Sequence, residues 1–167
     1  MGKSTFILTF ALYNALLNPN SNIAIFTINS QIKNFHYTEL IKIINTLDPN
    51  IIKTQTKKLI TFSNNSKISL MIPNPNLVKG RSFNLILFDE IAFLPLNIMY
   101  PLWTAIYPIV TSTNRKVIMA SSPNPNQPNL FDMIYSGAFA LNYLTPPLMA
   151  MSLKSASRQT RQASPSP

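Results

Sequence analysis

The sequence predicts an α/β protein whose mostly parallel sheet lies between two layers of helices. Short β-branched runs, among them 22–28 and 85–88, alternate along the chain with segments whose apolar residues recur at helical spacing. This alternation favours parallel strand pairing, with the connecting helices on both faces of the sheet. The 167 residues are 46% hydrophobic and have a mean hydropathy of +0.12, which suffices for one buried core.

Each element is predicted from its apolar spacing and from the residues that end it. The predicted helices span residues 4–17, 30–47, 97–107 and 130–135. The predicted strands span residues 22–28, 58–62, 67–72, 85–88 and 116–120, of which the second and third form a hairpin. Ser30 is predicted to cap the second helix. The apolar positions of that helix are Phe35, Leu40, Ile43, Ile44 and Leu47.

The chain is expected to form one domain at residues 1–145. A basic Ser/Pro-rich tail at 146–167 is expected to be disordered, because it lacks apolar periodicity. A second interpretation of the amino terminus is a signal peptide, since Lys3 precedes an apolar run at 6–17. No small-x-small cleavage site follows, and the run is too short to span a bilayer. We therefore predict a buried helix there and no membrane partner.

Composition excludes several kinds of site. The absence of cysteine excludes disulfides and zinc–thiolate centres. His36 is the only histidine, so a Ser-His-Asp triad or a histidine metal site is not expected, and a structural role on its helix is predicted. The net charge of +9, from 14 basic and 5 acidic residues, makes polyanions plausible partners, although the basic residues are scattered.

The segment Gly2-Lys3-Ser4-Thr5 is the second half of the phosphate-binding motif G-x-x-x-x-G-K-S/T and precedes a predicted helix. In that motif the lysine reaches the β- and γ-phosphates, the serine ligates Mg²⁺, and the helix N-terminus favours the anion. Taken alone, the segment fits equally well with an ordinary tail in front of a helix.

Asp89 and Glu90 follow directly after the apolar strand 85–88. Open α/β sheets bind ligands at the carboxyl ends of their strands. There, Asp89 would hold Mg²⁺ through water and Glu90 would polarise the attacking water. The alternative is a pair of acids that cap the next helix or lie on a solvated loop. The presence of both motifs in one chain favours a nucleotide site.

Two further segments are candidates for contact with the γ-phosphate. Ser121-Ser122-Pro123 follows the strand 116–120, which is expected beside the acidic strand, although Ser-Ser-Pro is also ordinary turn chemistry. Arg81 is a candidate for stabilising charge on the transferred phosphate, or alternatively a surface residue of a loop.

The order of these segments resembles the ATPase domain of the large terminase subunit, the motor that packages DNA in tailed bacteriophages. The resemblance covers about residues 2–145, and its most specific part is Asp-Glu-x-Ala-Phe within 85–95. It implies a P-loop NTPase-like three-layer sandwich that uses ATP and Mg²⁺. The site residues that it implies are Gly2, Lys3, Ser4 and Thr5 for the nucleotide, Ser4 and Asp89 for Mg²⁺, Glu90 and Arg81 for catalysis, and Ser121, Ser122 and Pro123 for coupling to DNA movement.

The resemblance also implies partners and a place of action. These are double-stranded DNA, the portal and the small terminase subunit, a homo-oligomeric ring of the full-length protein, and the cytoplasm of an infected bacterium. The family's first P-loop strand, the front of its loop and its nuclease domain are not found in this sequence, so a fragment with weak or no ATPase activity is expected. Two alternatives stay open, a helicase-like P-loop ATPase and an inactive remnant or DNA-binding accessory domain.

Overall fold

Within the described residues, the fold combines four α-helices with seven strands. The computed structural model describes residues 2–111, 115–126, 129–135 and 148–152. The helices are α1 (Lys3–Leu17), α2 (Ser30–Leu47), α3 (Leu96–Thr111) and α4 (Leu130–Tyr135). The strands are β1 (Asn22–Phe26), β2 (Ile52–Gln55), β3 (Leu59–Phe62), β4 (Lys67–Met71), β5 (Leu85–Asp89), β6 (Lys116–Ser121) and β7 (Leu148–Ser152).

The strands form one mixed sheet in the order β2-β3-β4-β1-β5-β6-β7. The pairs β4–β1, β1–β5, β5–β6 and β6–β7 are parallel, whereas β2–β3 and β3–β4 are antiparallel. The hairpin of β3 and β4 therefore joins the parallel part of the sheet through β4. The predicted α/β class with a mostly parallel sheet is confirmed.

Helices cover both faces of the central strands, which explains why those strands are apolar throughout. On one face, Ile25 and Leu87 pack with the buried residues of α1 and α2. On the other face, Phe26 and Phe88 stack at 5.0 Å between ring centroids and pack with Trp103 of α3. Because successive side chains of a strand point to opposite faces, one run of apolar residues supplies both layers of the core.

In the second helix, the N-cap residue and part of the buried face differ from the prediction. Asn29, not Ser30, is the N-cap, and its side chain accepts a hydrogen bond from the Ile32 N–H at 2.9 Å. Phe35 and Leu47, predicted as apolar-face positions, are 58% and 61% exposed. The buried residues of the helix are His36, Leu40 and Ile44, at intervals of four. The prediction is confirmed for Leu40 and Ile44 and is wrong for Phe35 and Leu47, because the fold buries the polar residue His36 in place of its neighbour.

Two other elements extend beyond the prediction. Strand β2 was not predicted, since three of its four residues are exposed and carry no apolar pattern, and it joins the sheet as an edge strand beside β3. Helix α3 includes Pro101 and Pro108, although proline removes a backbone hydrogen bond. Burial of the α3 residues Met99, Leu102 and Ile106, each 0% exposed, compensates for that loss.

Strand β7 lies inside the segment 146–167 that was predicted as a tail, and it pairs in parallel with β6. Residues 153–167 lie outside the described residues, and the domain boundary at 145 stays a prediction. In the described part of the chain, no helix combines the length and apolarity that crossing a lipid bilayer requires.

Candidate functional site

Polar and charged side chains from four elements meet at the carboxyl ends of the parallel strands β1, β5 and β6. They are Lys3 and Ser4 of α1, His36 of α2, Asp89 at the end of β5 with Glu90 after it, and Ser121 at the end of β6 with Ser122 after it. The three sequence segments predicted to form a nucleotide site thus lie in direct contact. They do so because β5 pairs with β6, which brings the two strand ends side by side.

Lys3 contacts a carboxylate and a hydroxyl group. Its Nζ lies 3.3 Å from Oε1 of Glu90 and donates to Oγ of Ser122 at 2.5 Å. The two charged side chains are 21% and 24% exposed, so the ion pair is neither buried nor freely solvated. A cation at the first turn of a helix is disfavoured by the helix dipole, which leaves this position suited to an added anion.

Glu90 adopts a left-handed backbone conformation, with φ 57° and ψ 40°. Its N–H donates to the Ala120 carbonyl at 2.8 Å, and its Oε2 accepts from the Ser122 N–H at 2.8 Å. Left-handed non-glycine residues are strained and are concentrated at functional sites. The conformation is held in place by the end of β6 and directs the carboxylate toward Lys3.

The two serines at the end of β6 share a contact with Glu90, since the Oγ of Ser121 lies 3.3 Å from Oε2, but they differ in their other partners. Ser121 is fully buried, and its Oγ accepts from the Ala92 N–H at 3.0 Å in the short 3₁₀ turn Ile91–Phe93. Ser122 instead donates from Oγ to Oε1 of Glu90 at 3.3 Å, besides its contact with Lys3. Both hydroxyls therefore contact Glu90, but only Ser122 also contacts Lys3, whereas Ser121 also anchors the loop behind the charged centre.

Asp89 is 3% exposed and continues the alternation of β5 toward the α1–α2 layer. Its Oδ2 accepts from Ser4 Oγ at 2.6 Å and lies 3.0 Å from Nε2 of His36. Its other oxygen, Oδ1, is buried and has no hydrogen-bond partner among the described residues. Such an orphaned acceptor at a strand end is what a cation or a water on a cation would satisfy.

His36 is the residue of this cluster that the sequence did not identify. It was predicted to be structural, and it is indeed 1% exposed, but its ring contacts the acid that ends β5. One signal could have found it. The helix that follows β1 starts at the same edge of the sheet where the neighbouring strand β5 ends. A polar residue on the buried face of that helix, one turn before Leu40, is therefore directed to the acidic strand end.

Gly2, Thr5 and Pro123 are predicted site residues that adjoin the cluster in the sequence. Gly2 precedes α1 with a φ of 128°, a value that favours glycine, and Thr5 is exposed on the first turn. Pro123 is exposed beyond Ser122.

Arg81 is not brought to the cluster. It is exposed in the loop before β5, and the next residue accepts through its carbonyl from Asn22 at the start of β1. It thus lies near the amino edge of the sheet, whereas Asp89 ends β5 at the carboxyl edge, and β5 is about 13 Å long by its rise per residue.

The potential metal ligands at this site fit Mg²⁺ better than a metal ion whose ligands all come from the protein. In the described part of the chain, no group of three or more His, Cys, Asp or Glu side chains could hold a metal ion. What is present is one hydroxyl, on Ser4, beside one carboxylate with a free oxygen, on Asp89. Mg²⁺ is commonly held by one or two carboxylates together with substrate phosphates and water. A hydroxyl has lone pairs left after donating its hydrogen, so the Ser4–Asp89 bond does not prevent ligation.

Comparison with known proteins adds a family and a fold. Residues 1–138 match the family described as "Terminase large subunit, T4likevirus-type, N-terminal". The large terminase of bacteriophage HK97 is similar in structure, with a TM-score of 0.68 at 18% identity over 93% of this chain and 34% of that one. The large terminase ATPase domain of Thermus phage P74-26 gives a TM-score of 0.60 at 16% identity, over 75% of this chain and 57% of that one. The chain thus spans between about a third and just over half of these solved chains.

Proposed function

Since the chain belongs to the N-terminal family of T4likevirus-type terminase large subunits, we propose that it is an ATP-hydrolysing motor domain. In this proposal it couples hydrolysis of Mg-ATP to translocation of double-stranded DNA. The observation that carries the proposal is the direct contact of Lys3 with both Glu90 and Ser122. A phosphate-binding lysine, a carboxylate and a polar strand end have no structural need to meet in one half-buried cluster. They are the groups that phosphoryl transfer requires together.

Lys3 and the first turn of α1 bind the phosphates in this proposal. The Lys3 ammonium leaves Oε1 of Glu90 and binds the phosphate oxygens, which carry more charge than one carboxylate. Backbone N–H groups at the N-terminus of α1 have no partner within the helix and donate to the same anion. Gly2 allows the close approach of that anion, because it places no side chain there.

Ser4 and Asp89 would hold Mg²⁺, the serine through its hydroxyl oxygen and the aspartate through its free Oδ1. When bound, Mg²⁺ neutralises charge that develops on the phosphate oxygens. Within the chain itself, the hydrogen bond from Ser4 to Oδ2 ties the helix that binds phosphate to the strand that carries the acids. Movement of α1 relative to β5 is thereby limited.

Glu90 is the catalytic carboxylate in this proposal. Oε2 is fixed by the Ser122 N–H, so the departure of Lys3 toward phosphate leaves Oε1 with one weaker contact, to Ser122 Oγ. That oxygen is then available to orient a water for in-line attack and to take up its proton. Ser122 contacts both Lys3 and Glu90, so the movement of Lys3 toward phosphate alters the contacts of Ser122. In this proposal that alteration is transmitted to the loop that Ser121 anchors.

The DNA, the portal, the small terminase subunit and a homo-oligomeric ring are proposed as partners, and the cytoplasm of an infected bacterium as the place of action. The net charge of +9 is consistent with a polyanionic partner. Arg81, exposed at the opposite edge of the sheet, is proposed to serve a neighbouring subunit rather than its own site.

The proposal is tested by nucleotide binding and turnover in purified protein. Lys3→Ala is expected to weaken Mg-ATP binding roughly 10- to 100-fold, the loss of one charge-assisted contact. Glu90→Gln is expected to bind ATP normally but to release phosphate roughly 100- to 10,000-fold more slowly. Lys57→Ala, which removes the same charge from an exposed position before β3, is the matched control. Absence of any ATP-induced thermal shift in the unmodified chain at millimolar ATP contradicts the proposal.

A further inference from the structure

We propose that His36 is a positioning residue that holds Asp89 in the orientation needed for Mg²⁺, a role that depends on the proposed nucleotide site. His36 and Asp89 both have side chains only 1% exposed, and Nε2 lies 3.0 Å from Oδ2. The two residues belong to α2 and β5, which are far apart in the chain. Burial of two polar side chains costs free energy, which their contact with each other partly offsets.

The hydrogen bonds divide unequally between the two oxygens of Asp89. Oδ2 is directed toward both Ser4 Oγ and His36 Nε2, whereas Oδ1 has no partner among the described residues. Two donors on one oxygen fix the rotation of the carboxyl group about its side chain. With that rotation fixed, Oδ1 has one orientation. His36 therefore affects the cation site through Asp89 and not by direct contact.

The imidazole is arranged to donate from Nε2. Its Nδ1 is buried and has no partner among the described residues. With the hydrogen on Nε2, Nδ1 carries a lone pair, so the unpaired atom of the ring is an acceptor and not a donor. Hydrogen on Nε2 then serves Asp89. This arrangement matches the general use of partners one step removed from a metal, which orient the ligand and whose loss typically weakens metal binding 10- to 100-fold.

An apolar residue could fill position 36 as well as histidine fills it. Leu40 and Ile44 continue the same buried face of α2 and are 0% exposed, so the positions that follow His36 on this face are apolar. Phenylalanine would keep an aromatic ring, somewhat larger than imidazole, at this position and remove the donor. Asp89 would then be held by Ser4 alone, and its carboxyl group would be free to rotate Oδ1 away from the site.

The test compares ATP affinity with Mn²⁺ and with EDTA in variants of the full chain. His36→Phe is expected to weaken the Mn²⁺-dependent component roughly 10- to 100-fold and to leave metal-free ATP affinity unchanged. His36→Gln, whose amide nitrogen reaches close to Nε2, is expected to restore most of the loss, and the shorter His36→Asn is not. Leu40→Ala, which removes packing from the same face, is the control and is expected to keep the Mn²⁺ dependence.

A second measurement uses the metal-free protein. Because the chain has one histidine, its imidazole nitrogens give a single set of ¹⁵N signals. At one fixed pH we expect hydrogen on Nε2, and a change of that signal in Asp89→Asn. Unchanged Mn²⁺ dependence in both His36→Phe and His36→Asn overturns the inference while leaving the proposed function intact. Failure of the unmodified chain to bind ATP overturns the proposed function, and the inference with it.

Discussion

Ser121 and Ser122 are neighbours in the chain and both contact Glu90, but their hydroxyls differ in their other partners. Alternation along an extended chain sends the first toward Ala92 and the second toward Lys3. The family resemblance implies that both are coupling residues, and the sequence does not distinguish them, because Ser-Ser-Pro gives no sign of which hydroxyl is buried. The contacts do separate them, into a support and a member of the charged centre.

The two serines are therefore expected to respond differently to alanine. Ser121→Ala leaves the buried Ala92 N–H without its partner and should lower the free energy of unfolding by about 1–3 kcal/mol. Ser122→Ala keeps the backbone contact to Glu90 and removes only a half-buried hydroxyl. Its unfolding free energy should change by less than about 0.5 kcal/mol, while phosphate release slows roughly tenfold. Urea unfolding and phosphate release measured on both variants check this, and equal destabilisation by the two changes would contradict it.

The elements that the sequence predicts best are those whose burial is complete. Strands β1, β5 and β6 are covered on both faces, so each is a run of apolar residues that no surface element resembles. Strand β2 could not be predicted, because an exposed edge strand is specified by its pairing with β3 rather than by its own residues. Helix α3 shows the opposite case, in which packing by Trp103 and its neighbours outweighs two prolines.

Helix α2 explains why the candidate site was predicted in part. That Lys3, Ser4, Asp89 and Glu90 lie together could be predicted, because strand ends and helix starts of a parallel sheet share one edge. His36 was not found because its contact depends on the rotation of α2. One residue along a helix turns the side chain by about 100°, and the predicted face had included the neighbouring residue, Phe35.

The start of α2 gives a prediction at the same scale. Asn29→Ala removes the hydrogen bond to the Ile32 N–H and should lower the free energy of unfolding by about 1 kcal/mol. Ser30→Ala, the residue first predicted as the cap, should change it by only a few tenths of a kcal/mol. Urea midpoints of the two variants, compared at equal slope, measure the difference. A larger effect of Ser30→Ala would return the cap to that residue.

At the scale of the whole molecule, the acidic and the basic residues are distributed differently. Of the five acidic residues, Asp89 and Glu90 lie together at the carboxyl edge of the sheet and engage Ser4 and Lys3. Most of the positive charge is left elsewhere on the chain and is scattered. This arrangement favours many weak contacts with a polyanion rather than one basic site that reads sequence.

The proposed binding to double-stranded DNA should therefore depend on salt and on no single lysine. The logarithm of the affinity should fall linearly with the logarithm of salt concentration, in proportion to the number of phosphates neutralised. Lys57→Ala, at an exposed position, should reduce the magnitude of that slope by no more than about 1. Lys3→Ala removes the same charge from a side chain that faces Glu90, and it should leave the slope unchanged. Fluorescence anisotropy with duplexes of two unrelated sequences measures both slopes; an affinity that is independent of salt, or that Lys57→Ala alone abolishes, would contradict scattered contact.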